Sequence, residues 1–259
     1  MFHFGRCGST VLAEGIQQLP GVCWNGEIFT KNTFVYKGFE GTQWDKQRNS
    51  NYFSLNEFID FIKNAKFGFM SNHQNDSKFY GCEIKAHHFE YDFFNFSIEE
   101  CISSLKTEFK GCKIIFLYRN NSFKRILSSL KARETGVYHT RERLKVKEKF
   151  NVSLDDFSDF DLKFSGEIKE TLANSAKLEA HYRSLILGAG GLSICYEEEI
   201  EYDLSVAISK IANSLKLTPI NPQITLKKTS SSSLQESIEN FPLLKKRLLG
   251  SEFETFLVN

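Results

Sequence analysis

The chain has 259 residues, of which 41% are hydrophobic and 25% are charged. This composition is typical of a globular protein with a packed core and excludes an intrinsically disordered chain. The formal net charge is +1, from 33 basic and 32 acidic residues, so no overall field attracts a long polyanion such as duplex DNA and any anion site has to be local.

The chain shows no targeting or membrane-spanning pattern. Its first residues, MFHFGRCGST, lack the apolar stretch of a secretory signal, and no run of about 18 or more apolar residues occurs. We therefore expect a cytoplasmic protein that does not bind nucleic acid. The six cysteines form neither a CxxC pair nor a Cys/His cluster at metal-ligand spacing, which predicts reduced thiols and no metal.

The first predicted elements are a strand, a glycine-containing loop and a helix. Residues 1–4 are mostly apolar, and Leu12, Ile16 and Leu19 share one face of the helix that follows, which Pro20 ends. Residues 25–50 have no clear period and are predicted to be irregular. A second helix is predicted over 54–65, with Ser54 as its N-cap.

Strands and helices continue to alternate. Strands are predicted at 80–86, 113–118 and 192–196, with one helix after Arg119 and another over 167–187. The phenylalanine-rich residues 89–96 are expected to pack in the core rather than to form an apolar acceptor wall. Because buried strands that alternate with helices form parallel sheets, we predict an α/β three-layer sandwich, a single domain over 1–259.

The loop after the first strand has the chemistry of an anion site. Backbone N–H groups at a helix N-terminus stabilise a phosphate or sulfate, Gly8 permits close approach, and Ser9 and Thr10 add hydroxyl donors. Arg6 adds a planar cation that suits phosphate oxygens. The loop lacks the GxxxxGK[ST] pattern of a nucleoside triphosphate site, since no lysine precedes Ser9.

The segment RCGSTVL, from Arg6 to Leu12, resembles the R-x-G-[ST]-T-x-L loop of sulfotransferases that use 3′-phosphoadenosine 5′-phosphosulfate (PAPS). The later residues Gly26 and Glu27 are similar to a Gly-Glu pair that follows the first helix in that family. The resemblance implies a P-loop NTPase-like topology, PAPS as sulfuryl donor and PAP as product. It also implies that the 5′-phosphosulfate is bound by the loop residues Arg6, Cys7, Gly8, Ser9, Thr10 and Val11.

A second segment resembles the family's site for the 3′-phosphate. In IIFLYRNNSFKRILS, the resemblance implies that Arg119 at a strand end and Ser128 on the next helix bind this group, although helical spacing does not choose between Ser128 and Ser129. Lys227 and Lys228, before a segment similar to one that closes over the nucleotide, are also predicted to bind the cofactor.

Sulfuryl transfer requires a base for the acceptor proton and a cation for the leaving phosphate. Arg6 suits the second role, and the resemblance implies Glu27 as base. His87 is the rival, because Lys85-Ala86-His87 resembles the K-T-H segment of the cytosolic branch. The acceptor, a carbohydrate or other small molecule, is expected to contact the loops at 30–50 and 138–161.

Two other functions share this pattern. A nucleotide kinase or NTPase is disfavoured by the missing lysine and by the lack of a clear Mg²⁺-binding aspartate after a buried strand. A non-catalytic nucleotide- or glycan-binding protein is disfavoured because both Arg6 and Glu27 are retained.

Overall fold

The computed structural model describes residues 1–29, 53–72, 77–90, 94–136, 149–226 and 233–258. The chain forms two compact units: Met1–Tyr118 with Tyr182–Gln223, and Arg119–His181 with Ile224–Asn259. That residues 1–259 make one domain stays a prediction.

The elements of the described residues are numbered in chain order. They are β1 (Phe2–His3), α1 (Ser9–Ile16), β2 (Val22–Glu27), α2 (Leu55–Asn72), β3 (Phe79–Lys85), α3 (Ile98–Glu108), β4 (Ile115–Tyr118), α4 (Ser122–Thr135), β5 (Phe157–Asp159), β6 (Phe164–Gly166), α5 (Ile168–Gly188), β7 (Leu192–Cys195), α6 (Tyr196–Glu199), α7 (Leu204–Leu215), α8 (Leu234–Ser237) and α9 (Phe241–Leu248). Short 3₁₀ turns cover Ala86–His88 and Glu254–Leu257.

The first unit contains a five-stranded sheet in the order β2-β3-β1-β4-β7, and each neighbouring pair is parallel. Helix α1 packs against α7 and α2 packs against α3, so helices flank the sheet. The predicted α/β fold with a central parallel sheet is confirmed. One prediction was wrong: Asn25, Gly26 and Glu27 are not irregular but complete strand β2.

Aromatic side chains fill much of the core of the first unit. Phe29 stacks on Phe58 with ring centroids 5.1 Å apart, and Phe94 stacks on Phe96 at 5.0 Å. Phe94 and Phe96 are 4% and 8% exposed, so these two residues of the phenylalanine-rich segment pack in the core as expected. Residues 91–93 of that segment lie outside the described residues.

The second unit has its own core and a buried ion pair. Apolar side chains from α4, α5 and α9 pack with those of β5, including Phe123, Phe157, Leu172 and Leu244. Arg125 on α4 pairs with Asp159 on β5, and the Ser175 hydroxyl donates to the same carboxylate at 2.7 Å. These contacts connect α4, α5 and β5. Both charged side chains are at most 1% exposed, so the ion pair is buried.

Candidate active site

The loop that joins β1 to α1 contains two residues with a left-handed backbone. Gly8, the N-cap of α1, has φ 85°, and Arg6 has φ 64°. A non-glycine residue in this region costs about 1–3 kcal/mol, and such residues cluster at functional sites, although Lys163 and Lys216 also have this backbone. The conformation of Arg6 supports a functional role for the loop only together with the helix N-terminus that follows it.

The first turn of α1 can receive an anion. Its backbone N–H groups have no acceptor within the helix, Gly8 offers no side-chain cap, and the turn has no acidic residue. Arg6 and Thr10 are half-buried, whereas Ser9 is 9% exposed and the Cys7 side chain is fully buried. The helix dipole and the Arg6 guanidinium can together stabilise a negative charge at this turn.

The ring of Tyr196 limits the space beside this loop. Tyr196 follows directly on β7, and a β-carbon placed on Gly8 would lie 2.6 Å from its ring. That distance is too short for any side chain. Glycine is therefore required at position 8 both by its φ and by the contact with Tyr196.

The position of Glu27 depends on a β-bulge in β2. Trp24 pairs with Gly81 and Glu27 pairs with Glu83, so three residue steps along β2 match two along β3. Gly26 takes φ 65° within the bulge. Bulges of this kind change the direction of the side chains that follow, and here the extra residue places Glu27 on the same face as Glu83.

Four titratable side chains lie at the carboxyl ends of β1, β2 and β3. The Glu27 carboxylate is 3.0 Å from Lys85 Nζ, and both side chains are about one-third exposed. His3 Nε2 is 3.2 Å from Glu83 Oε2, and both of these side chains are buried. This second contact has the distance of an ion pair, although its angle is not that of an aligned hydrogen bond.

The Glu83 carboxylate is stabilised as an anion. Burial acts to raise its pKa, but the close polar contact with His3, the charge of a protonated His3, a hydrogen bond from Trp24 and the N-terminal ammonium together outweigh burial and lower the pKa. Trp24 Nε1 donates to Glu83 Oε1 at 3.0 Å. Ligand-type atoms of His3, Glu27 and Glu83 lie within 4.8 Å of one another, but the ammonium of Lys85 already supplies positive charge beside Glu27.

The rival base, His87, lies in the 3₁₀ turn that follows β3. Its ring packs edge-on against that of His88, with centroids 4.8 Å apart. Burial, with the nearby charges of Lys85 and His3, lowers the pKa of His88 to about 3. Tyr182 lies beside the turn, since its hydroxyl is 3.4 Å from the carbonyl oxygen of Ala86 and donates to Glu90, two residues beyond the turn, at 2.6 Å.

The fold places the Arg6 loop, Glu27 and His87 at one edge of the sheet in the first unit, because the carboxyl ends of parallel strands meet there. Arg119 and Ser128 belong to the second unit, and their part in cofactor binding stays a prediction. Ser129 is 6% exposed and Ser128 is half-buried, so Ser128 is the more accessible hydroxyl. Lys227, Lys228 and the predicted acceptor loop 30–50 lie outside the described residues, as do residues 138–148 of the other loop.

Sequence reasoning missed His3, Glu83 and the pairing of Lys85. A signal for two of them was present, since Glu83 and Lys85 are charges two residues apart within a predicted strand and so share one face. Buried charges are expected to be paired. Their partners could not be predicted, because His3 and Glu27 lie far from them in sequence.

The chain matches no family model, and no curated protein sequence is significantly similar to it. Among solved structures, a sulfotransferase from Alicyclobacillus acidocaldarius is similar, with a TM-score of 0.48 and 12% sequence identity over 99% of this chain and 94% of that chain. A likeness at this level does not transfer the neighbour's activity to this chain. No helix among the described residues is long and apolar enough to cross a membrane.

Proposed function

We propose that this protein is a PAPS-dependent sulfotransferase that acts on a hydroxyl or amine of a carbohydrate or other small molecule. The observation that carries the proposal is the conformation of the loop before α1, where Arg6 and Gly8 are left-handed and the first turn of α1 has neither a side-chain cap from Gly8 nor an acidic residue. The resemblance of RCGSTVL to the family's phosphosulfate loop makes PAPS the favoured anion.

In the proposed reaction the acceptor oxygen or nitrogen attacks sulfur in line with the bond to the 5′-phosphate. The new bond to sulfur forms as the bond between sulfur and the bridging oxygen breaks, and PAP leaves with the negative charge. The Arg6 guanidinium and the N–H groups of α1 stabilise that charge. The Glu27 carboxylate takes the proton of the acceptor, and Lys85 Nζ lies 3.0 Å from this carboxylate.

Glu27→Gln tests the base. Loss of a positioned general base lowers turnover by about 10²- to 10⁴-fold, while affinity for PAP should be unchanged because Glu27 is not assigned to the cofactor. Turnover is measured as mass gain of an acceptor panel incubated with PAPS, and PAP binding by calorimetry. His87→Asn is assayed in parallel, and Glu134→Gln on an exposed position of α4 is the matched control.

Near-normal turnover of Glu27→Gln would remove Glu27 from the mechanism, and a loss confined to His87→Asn would make His87 the base. The whole proposal fails if PAP gives neither heat nor a thermal shift in the absence of Mg²⁺. Mg²⁺-dependent hydrolysis of ATP would instead favour the kinase or NTPase alternative.

A further inference from the structure

Two acids and two bases lie on one face of three adjacent strands. Glu27 lies opposite Glu83 in the pairing of β2 with β3, and His3 lies opposite Lys85 in the pairing of β1 with β3. Paired residues of parallel strands point to the same face, as do residues two apart such as Glu83 and Lys85. Each carboxylate contacts one cation, in the pairs Glu27 with Lys85 and Glu83 with His3.

The contacts of His3 suit a ring with a hydrogen on both nitrogens. Nδ1 lies 2.9 Å from the carbonyl oxygen of Phe4, which can only accept, so Nδ1 carries a hydrogen. Nε2 faces the Glu83 carboxylate at 3.2 Å, and because the surroundings of Glu83 lower its pKa and favour the anion, a hydrogen on Nε2 makes this contact attractive. His3 is 1% exposed, so no solvent competes for either nitrogen.

Two carboxylates on directly opposed strand positions disfavour each other's ionisation, and a buried carboxylate without a counter-charge favours its neutral form. Glu83 is 4% exposed and therefore depends on a nearby cation. We propose that His3 is a positioning residue whose imidazolium lets Glu83 and Glu27 be ionised together, so that Glu27 is free to accept the acceptor proton. The consequence for catalysis rests on the proposed function, whereas the effect on the two carboxyl groups does not.

Other charged groups act on this cluster. The N-terminal ammonium donates to the carbonyl of Cys82 at 2.7 Å and favours the ionised form of Glu83. Lys85 is a cation on the same face. His88, after β3, is held neutral near pH 7 by burial and by Lys85 and His3, so it adds no charge. Of these groups, only His3 has its titrating ring in contact with Glu83.

The test compares His3→Gln with His3→Gln/Glu83→Gln. Glutamine removes the charge of the imidazolium but keeps a hydrogen-bond donor. In His3→Gln, the Glu27/Glu83 pair should therefore take up a proton at a pH about one unit or more higher than in the unaltered protein. In the double variant both charges are gone, and Glu27 should titrate as in the unaltered protein. Carbon-13 NMR titration of the carboxyl groups measures this without any turnover, and His181→Gln on an exposed position is the control.

Where PAPS turnover is found, the acidic limb of kcat/KM should move upward in His3→Gln and return in the double variant. If His3 had only a structural role, His3→Gln would lower the stability of the protein or the maximal kcat/KM. The pH of the acidic limb would not change. If His3→Gln does not fold, Glu83→Gln replaces it: an imidazolium left without its carboxylate should make Glu27 titrate at lower pH.

Three results would overturn the proposal. They are carboxyl titrations unchanged in His3→Gln, a shift that persists in the double variant, and binding of one Zn²⁺ per chain that is lost in His3→Gln, which would make the cluster a metal centre. If PAP does not bind but the carboxyl titrations shift and return as expected, the proposed function fails while this inference stands.

Discussion

Gly8 and Gly111 both have left-handed backbones, with φ 85° and 79°, but their surroundings differ. A β-carbon on Gly8 would collide with the Tyr196 ring, whereas nothing lies within 4 Å of one on Gly111. Gly111→Ala should therefore cost only the backbone strain, about 1–2 kcal/mol. Gly8→Ala should lose more stability in urea unfolding and should also weaken PAP binding.

Gly8→Ala/Tyr196→Leu separates the two causes, because the smaller side chain relieves the collision but leaves the strain at φ 85°. Partial recovery of stability is expected. Equal losses for Gly8→Ala and Gly111→Ala would mean that Tyr196 moves aside without cost.

His88 should make the protein sensitive to acid. Its pKa is lowered to about 3 in the folded chain, so the unfolded chain binds the proton more tightly between that value and the ordinary pKa of about 6.5. The stabilisation is present above about pH 6.5 and is lost as the pH falls towards 3. His88→Asn should reduce the decrease in melting temperature between pH 7.5 and pH 4.5, which thermal unfolding measures.

A matched substitution at exposed His181 controls for the loss of a histidine. An identical pH dependence in His88→Asn and the unaltered protein would show that other groups determine acid stability.

The buried pair of Arg125 and Asp159 connects α4 to β5. Arg125→Met should destabilise the protein by about 3–5 kcal/mol, because it leaves the Asp159 carboxylate buried without its cation. Arg247, which pairs with Asp155 at 2.8 Å near the surface, is the matched control, and Arg247→Met should cost far less. Chemical denaturation measures both.

Arg125→Met/Asp159→Leu removes both charges and should recover part of the stability. A loss in Arg125→Met no larger than that in Arg247→Met would contradict a structural role for the buried pair.

Local patterns located four of the nine helices of the described residues, α1, α2, α4 and α5, and four of the five strands of the parallel sheet. Ser54 caps α2 as expected, since its hydroxyl oxygen accepts from the Glu57 backbone N–H at 3.4 Å and the Glu57 carboxylate accepts from the Ser54 backbone N–H at 2.8 Å. The helix continues beyond Ala65 to Asn72, and Phe69 in the added turn contacts the Tyr80 ring at 6.2 Å. This contact is tertiary, so the spacing of apolar residues in α2 could not predict the end of the helix.

Strand β2 was missed because its residues, VCWNGE, lack both a continuous apolar run and strict alternation. Gly26 and the bulge interrupt the alternation in the same place that orients Glu27. The pair β5 and β6 was missed for a similar reason, since each strand has three residues.

At the scale of the first unit, the sequence predicts a parallel sheet but does not predict the order of its strands. Apolar strands separated by helices predict parallel pairing, as found, yet β3 lies between β1 and β2. The cluster of His3, Glu83, Glu27 and Lys85 depends on that order. Single motifs could therefore nominate Glu27 but could not predict the charges around it.

The bulge in β2 also determines which side of the sheet carries the glutamate. Side chains alternate along a strand, so a regular strand would turn Glu27, three residues after Trp24, to the opposite face, and the bulge is what returns its carboxylate to the face of Glu83. A homologue or designed variant that keeps this length but loses the left-handed conformation at Gly26 and the bulge would retain a glutamate in its alignment and yet have no acid facing Glu83. The bulge between Trp24 and Glu27 is thus as necessary to the arrangement as the glutamate.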